Sequence, residues 1–172
     1  MSVILIGYRG SGKTSLGKRL ADRLWQPFVD SDQEIVKRAG KTIREIFEQD
    51  GEPAFRDLET AVVLDLATRV EHVIALGGGA VLRPENRAAI KAGGRHRVIY
   101  LRCDPAELHQ RIAADTATAD NRPNLTGLGG GLAEIEQLLR VREPIYREVM
   151  DVELDVTHLS VDEAMARVAK MI

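Results

Sequence analysis

The chain opens on an apolar run, Val3-Ile4-Leu5-Ile6 behind Ser2, with no polar residue to mark a wet face. Such a run predicts a strand buried on both sides, as in a parallel sheet. After Lys13 the period changes. Leu16, Leu20, Ala21 and Leu24 recur at helical spacing and predict a helix ending near Leu24. Trp25 to Asp30 reads as a short second strand, with Pro27 at its start or on an edge. Gln33 to Ala39 looks helical and is closed by Gly40. Thr42 and Glu45 form a capping-box pattern for a short helix stopping at Gly51. Pro53 then suits the first position of a helix to about Thr68, with Phe55, Leu58, Ala61, Val62 and Leu66 on its apolar face.

The alternation continues. His72 to Leu76 and Arg97 to Leu101 read as third and fourth buried strands, separated by a helix from Pro84 to about Ala92. Asp104-Pro105 predicts a capped helix to about Ala114. Residues 115–131 break the pattern with Thr, Asp, Asn, Pro and the triplet Gly129-Gly130-Gly131. A loop of that length in a compact chain is often a lid or binding loop. Leu132 to Arg142 is helical, with Ile135, Leu138 and Leu139 on one side. Val152 to Val156 alternates apolar and charged residues, as an edge strand wet on one face does. Ser160 and Glu163 cap a last amphipathic helix to Met171. Five strands alternating with helices predict an α/β fold: one parallel sheet flanked by helices.

The first strand and helix are joined by Gly7-Tyr8-Arg9-Gly10-Ser11-Gly12-Lys13-Thr14, which fits the P-loop pattern. The strand before it and the helix after it are the context that the phosphate-binding mechanism requires. A glycine-rich turn presents backbone N–H groups to phosphate oxygens, and the helix dipole points its positive end at the anion. Gly10, Ser11, Gly12, Lys13, Thr14 and Ser15 are therefore candidate nucleotide-binding residues. Lys13 is placed to reach the outer phosphates and Thr14 to ligate Mg²⁺.

Asp30 and Asp32 follow the second strand and would face the same crevice. Helix capping by Ser31 or Asp32 is the plainer reading, but it accounts for one carboxylate rather than two. Arg56 and Glu59, three apart, share a helix face; taken alone they read as a surface ion pair. Gly77-Gly78-Gly79 ends the third strand without side chains, so backbone could approach a ligand closely. An ordinary loop would look the same. Arg122-Pro123 is the charged, stiffened point of the long loop.

Composition narrows the class. The 172 residues carry a formal net charge of −2 and give no basic footprint for nucleic acid. No apolar run approaches a membrane span, and no signal-peptide layout is present. One cysteine, Cys103, allows no internal disulfide and suits a reducing cytoplasm; a structural thiol is the favoured reading. His72, His96, His109 and His158 are too scattered for a zinc site.

Taken in order, the P-loop, Asp30-Ser31-Asp32, Phe55-Arg56-x-x-Glu59, Gly77-Gly78-Gly79-Ala80, and Arg122-Pro123 followed by Arg142-x-Pro144-x-Tyr146 resemble the shikimate kinase family. These motifs span nearly the whole chain. The resemblance implies a single P-loop kinase domain over 1–172, of the nucleoside-monophosphate-kinase type. It would have a substrate-binding region at about 32–60 and a lid at about 115–131. It implies transfer of the γ-phosphoryl group of ATP, with Mg²⁺, to the 3-hydroxyl of shikimate in aromatic amino acid biosynthesis. Lys13, Asp32 and Arg122 would be catalytic, and Thr14 and Asp30 would hold the metal. Asp32, Arg56, Gly77, Gly78, Gly79 and Arg142 would bind shikimate, with Arg56 and Arg142 taking its carboxylate and Glu59 aligning Arg56. Arg111 would pack on adenine. A cytoplasmic monomer without nucleic-acid or membrane partners is expected. Two departures stand out: Asn124-Leu125 follows the lid Arg-Pro where the family usually has two leucines, and Thr157 to Ser160 lacks an adenine-side proline. A kinase for gluconate or quinate is the alternative within the same fold, and a non-catalytic binding module is the alternative outside catalysis.

Overall fold

In the computed structural model, residues 1–115 and 126–172 are described. Five strands form one sheet: β1 (Ser2–Ile6), β2 (Phe28–Asp30), β3 (Val73–Ala75), β4 (His96–Arg102) and β5 (Val152–Asp155). The spatial order is β2-β3-β1-β4-β5 and every pairing is parallel. All five residues of β1 are buried, as their unbroken apolar run requires at the centre of a covered sheet. β2 and β5 are the edges, which suits Pro27 ahead of the one and alternating charge along the other.

The helices are α1 (Lys13–Leu24), α2 (Ser31–Ala39), α3 (Ile43–Gln49), α4 (Glu52–Leu66), α5 (Pro84–Lys91), α6 (Pro105–Ala114), α7 (Leu132–Val149) and α8 (Val161–Val168). Helix α1 packs on β1, β2 and β3 and against α8, while α7 packs on β4 and against α5 and α6. Because the strands are parallel, their carboxyl ends share one edge. The P-loop after β1, Asp30 and Asp32 after β2, and the glycines after β3 therefore converge there.

Several boundaries differ from the sequence expectation for identifiable reasons. Trp25 is not in a strand: at φ 56° it closes α1 in a left-handed conformation, its N–H reaching back to Asp22, and β2 begins at Phe28. Helix α4 starts at Glu52, one residue ahead of Pro53. Asp104 precedes α6 but its side chain does not cap it; its carboxylate pairs with Arg102 at 2.5 Å instead. Helix α7 runs on past Arg142 and through Pro144 to Val149. Proline forfeits one backbone hydrogen bond. The helix persists because Tyr146 and Val149 are fully buried, and Tyr146 stacks on Tyr100 with ring centroids 4.9 Å apart.

Candidate active site

Gly7 leaves β1 at φ +145°, where a methyl group would lie 2.6 Å from the Leu101 carbonyl oxygen; only glycine turns the chain there. The loop then enters α1 at Gly12, which offers no side-chain cap. The first-turn N–H groups at Lys13, Thr14 and Ser15 have no acceptor within the helix, whose first backbone bond runs from Leu16 N–H to the Gly12 carbonyl. The Ser11 hydroxyl is buried with no hydrogen-bond partner among the described residues. A cradle of amide donors with an orphaned hydroxyl is built for oxygens brought by a ligand. Lys13 is only 8% exposed, and its Nζ donates to the Gly7 and Tyr8 carbonyls at 2.8 Å each. It is thereby held against the loop.

Asp30 is the helix cap that the sequence assigned to Ser31 or Asp32. Its Oδ1 accepts from the N–H groups of Asp32 (3.0 Å) and Gln33 (3.4 Å). Its Oδ2 accepts from the Thr14 hydroxyl at 2.8 Å. The two expected metal ligands thus touch. Among the described residues no group of three or more His, Cys, Asp or Glu could hold a metal ion. A hydroxyl beside one carboxylate is nonetheless the donor set of a Mg²⁺ that keeps waters and shares phosphate oxygens, so the residues fit that ion. These groups line a cleft of about 470 Å³ with Arg9, Asp32, Arg111, Leu159, Ser160 and Val161. The Arg111 guanidinium donates to the Val156 and Thr157 carbonyls (2.9 and 3.2 Å) and to Glu107 at 2.7 Å, which places it on the cleft wall.

A second cavity lies across Asp32. Arg56, Glu59, Gly77, Gly78, Gly79, Arg142, Tyr8 and Glu134 line it, with Ile43, Phe47 and Phe55 as an apolar floor. Arg9 and Asp32 line both cavities. The glycine triplet has a steric reason: a methyl group on Gly77 would sit 2.6 Å from Asp32 Oδ1, and one on Gly79 would strike the Arg56 guanidinium. Ser31 accepts from the Gly77 N–H at 2.8 Å, and the Tyr146 hydroxyl donates to the Gly78 carbonyl at 2.6 Å. Burial pushes the Tyr146 phenol far up, so it stays a donor.

The Arg56–Glu59 pair is not on the surface. Glu59 is 2% exposed and its Oε2 accepts from Arg56 Nη1 at 2.6 Å, with Glu52 reaching the same guanidinium at 3.3 Å. Burial raises the Glu59 carboxyl above the usual range, and Arg56 pulls it back only in part. Glu59 therefore takes a proton at higher pH than a surface glutamate. As pH falls, kcat/KM for an acidic substrate should drop before ordinary carboxylates titrate, and Glu59→Gln should lack that limb while remaining weak throughout. The stability contribution runs the other way. A raised folded pKa favours the protonated folded form, so its contribution is complete below the unfolded pKa and lost as pH rises through the folded one. The thermal midpoint of the wild type should accordingly fall relative to Glu59→Gln across that window.

Arg142 is 5% exposed, and no carboxylate lies within ion-pair distance of it among the described residues. Its guanidinium sits 5.7 Å from the centre of the Tyr8 ring and beside the Tyr146 hydroxyl. Tyr8, whose phenol burial also pushes up, and Glu134 line the cavity without having been given a role from the sequence, while Ser31 and Tyr146, named there only within motifs, hold the backbone of Gly77 and Gly78. Ile43 and Phe47, four apart behind the Thr42–Glu45 capping box, carried a legible signal for the floor. Arg122 lies outside the described residues.

A P-loop cleft and a cavity lined by Arg56 and Arg142 share Asp32 at the carboxyl edge of a parallel sheet, which is the arrangement of a P-loop kinase of a small molecule. The family model "Shikimate kinase" matches residues 9–172. The chain is 43% identical over 166 residues to shikimate kinase of Rhodopirellula baltica, covering 96% of this chain and 87% of that one. It superposes on the structure of Acinetobacter baumannii shikimate kinase in complex with shikimate at a TM-score of 0.90. Sequence identity there is 35%, with 99% of this chain and 91% of that one covered. A gluconokinase from Sinorhizobium meliloti (TM-score 0.64, 22% identity) shares the fold alone. The chain belongs to the shikimate kinase family and is an ATP-dependent kinase.

Proposed function

We propose that the protein transfers the γ-phosphoryl group of ATP to the 3-hydroxyl of shikimate, giving shikimate 3-phosphate and ADP. The observation that carries this reading is Arg142, a buried cation with no carboxylate partner among the described residues, in a cavity that meets the P-loop cleft at Asp32. Burying an unpaired charge is costly, and a ligand carboxylate removes the cost. Arg56, held by Glu59, supplies the second guanidinium, and the backbone of Gly77 to Gly79 lets the ring lie close to the sheet edge.

Asp32 accepts the proton of the attacking hydroxyl or holds that hydroxyl in line. The substrate oxygen forms its bond to the γ-phosphorus as the bond to the β-bridging oxygen breaks, and the electron pair leaves on ADP. Lys13 and the first turn of α1 hold the negative charge of the transferring group, and Arg122 is assigned the same role. Thr14 and Asp30 would hold Mg²⁺, which neutralises phosphate charge when bound. Arg111 borders the adenine side. Cys103 is buried and its thiol is pushed up by that burial, which suits an inert thiol in a reducing compartment, and we assign the protein to the cytoplasm as a monomer.

Release of ADP in a coupled assay with ATP and shikimate, beside quinate and gluconate, tests the reading. Shikimate should be preferred, and absence of shikimate-dependent turnover would overturn it. Arg142→Ala should raise KM for shikimate about fiftyfold, the loss of a desolvated charge-assisted contact, with KM for ATP little changed. A change confined to ATP would move Arg142 to the other side of the reaction.

A further inference from the structure

The second cavity contains an acid that this mechanism does not use. Glu134 is 5% exposed, lines the cavity with Arg142, and stands eight residues before it on α7. A buried carboxylate in an anion pocket is a rival to the ligand, because it offers Arg142 the same partner chemistry. Yet the two are not paired within ion-pair distance. Glu134 is occupied elsewhere: its Oε1 accepts from the Thr126 backbone N–H at 2.6 Å and from the Thr126 hydroxyl at 2.7 Å. The hydroxyl in turn accepts from the Leu128 N–H at 3.2 Å, so Thr126 is itself fixed by the turn that follows it. The other two acids on the cavity wall are already engaged, since Asp32 faces the shared junction and Glu59 aligns Arg56.

We propose that Thr126 and Glu134 form a clasp that sets the anion specificity of the cavity. By placing two donors on one carboxylate oxygen, Thr126 keeps Glu134 off Arg142 and reserves that guanidinium for the substrate carboxylate. Glu134 is in this sense a positioning residue that acts through Arg142.

This inference rests on the shikimate reading, and wild-type turnover with shikimate tests that reading separately. Thr126→Val keeps the shape of the side chain and removes the hydroxyl donor. It should raise KM for shikimate about tenfold, the value of one lost hydrogen bond to a charged acceptor, while KM for ATP stays within about twofold. Thr126→Val/Glu134→Gln should return KM to within about threefold of the wild type, because the neutral amide no longer competes for Arg142. Glu134→Gln alone should lower KM for shikimate, because no acid is then left to compete for Arg142. A merely structural clasp would make the double variant worse than either single one, and that result overturns the proposal. So does an unchanged KM in Thr126→Val, or a raised KM in Glu134→Gln. Thermal unfolding of each variant separates loss of fold from loss of binding.

Discussion

Lys13→Ala is expected to lower kcat about a thousandfold or more, in keeping with removal of a preorganised charge from a phosphoryl-transfer site. The loss should fall on kcat rather than on KM for shikimate, because Lys13 lines the nucleotide cleft and not the acid cavity. A smaller structural effect accompanies it. Lys13 Nζ holds the Gly7 and Tyr8 carbonyls, and deleting it leaves both without that donor. A buried unsatisfied carbonyl costs about 1–3 kcal/mol, so the thermal midpoint should fall by several degrees while the protein remains folded at 25 °C. Lys13→Met separates the effects by keeping the apolar stem without the charge; it should be as inactive as the alanine variant. The lone tryptophan, Trp25, is 95% exposed, so binding is better followed by calorimetry than by intrinsic fluorescence. Either variant retaining more than about a tenth of wild-type kcat would remove Lys13 from the catalytic machinery.

What could be read in advance follows the range of the interactions. The P-loop and the strands are specified by contiguous residues, and a parallel sheet then puts their carboxyl ends on one edge, so the meeting of Thr14 with Asp30 was legible. Arg56 and the glycine triplet stand out from the residues alone, the family resemblance supplied their roles and Arg142, and the structure brings all of them into one cavity. Burial was less legible. Arg56 and Glu59 show a surface spacing, and the glycine triplet, with Gly79 against the guanidinium and Gly77 beside Glu59, packs over them as an interior pair. Helix α7 looked finished near Pro144 because a local rule reports the lost hydrogen bond but not the Tyr100–Tyr146 stack that outweighs it. Glu134 had no signal of its own: on a charged helix it is one acid among several, and its role exists only once Thr126 is placed beside it.

Asp32→Asn should reduce kcat by about a hundredfold to ten-thousandfold, the range for a group that moves a proton in the transition state. Its KM for shikimate should change little, because an amide oxygen in the same place still accepts a hydroxyl's hydrogen bond. The variant should be as stable as the wild type, and the reason is the cap of α2. Had Asp32 been the cap, its substitution would have cost about 1 kcal/mol. The cap is Asp30, whose Oδ1 takes the N–H groups of Asp32 and Gln33. Asp30→Ala should therefore show the opposite pattern, with a lowered thermal midpoint and a weakened response to Mg²⁺, since the same side chain holds Thr14. A further sign identifies the Asp32 charge. It is one of the influences that raise the Glu59 carboxyl, so Asp32→Asn should move the acid limb of kcat/KM to lower pH. An Asp32→Asn enzyme that keeps near-normal kcat would leave the hydroxyl without its proton acceptor and would require the chemistry at the junction of the two cavities to be reassigned, with Arg9 as the remaining shared side chain.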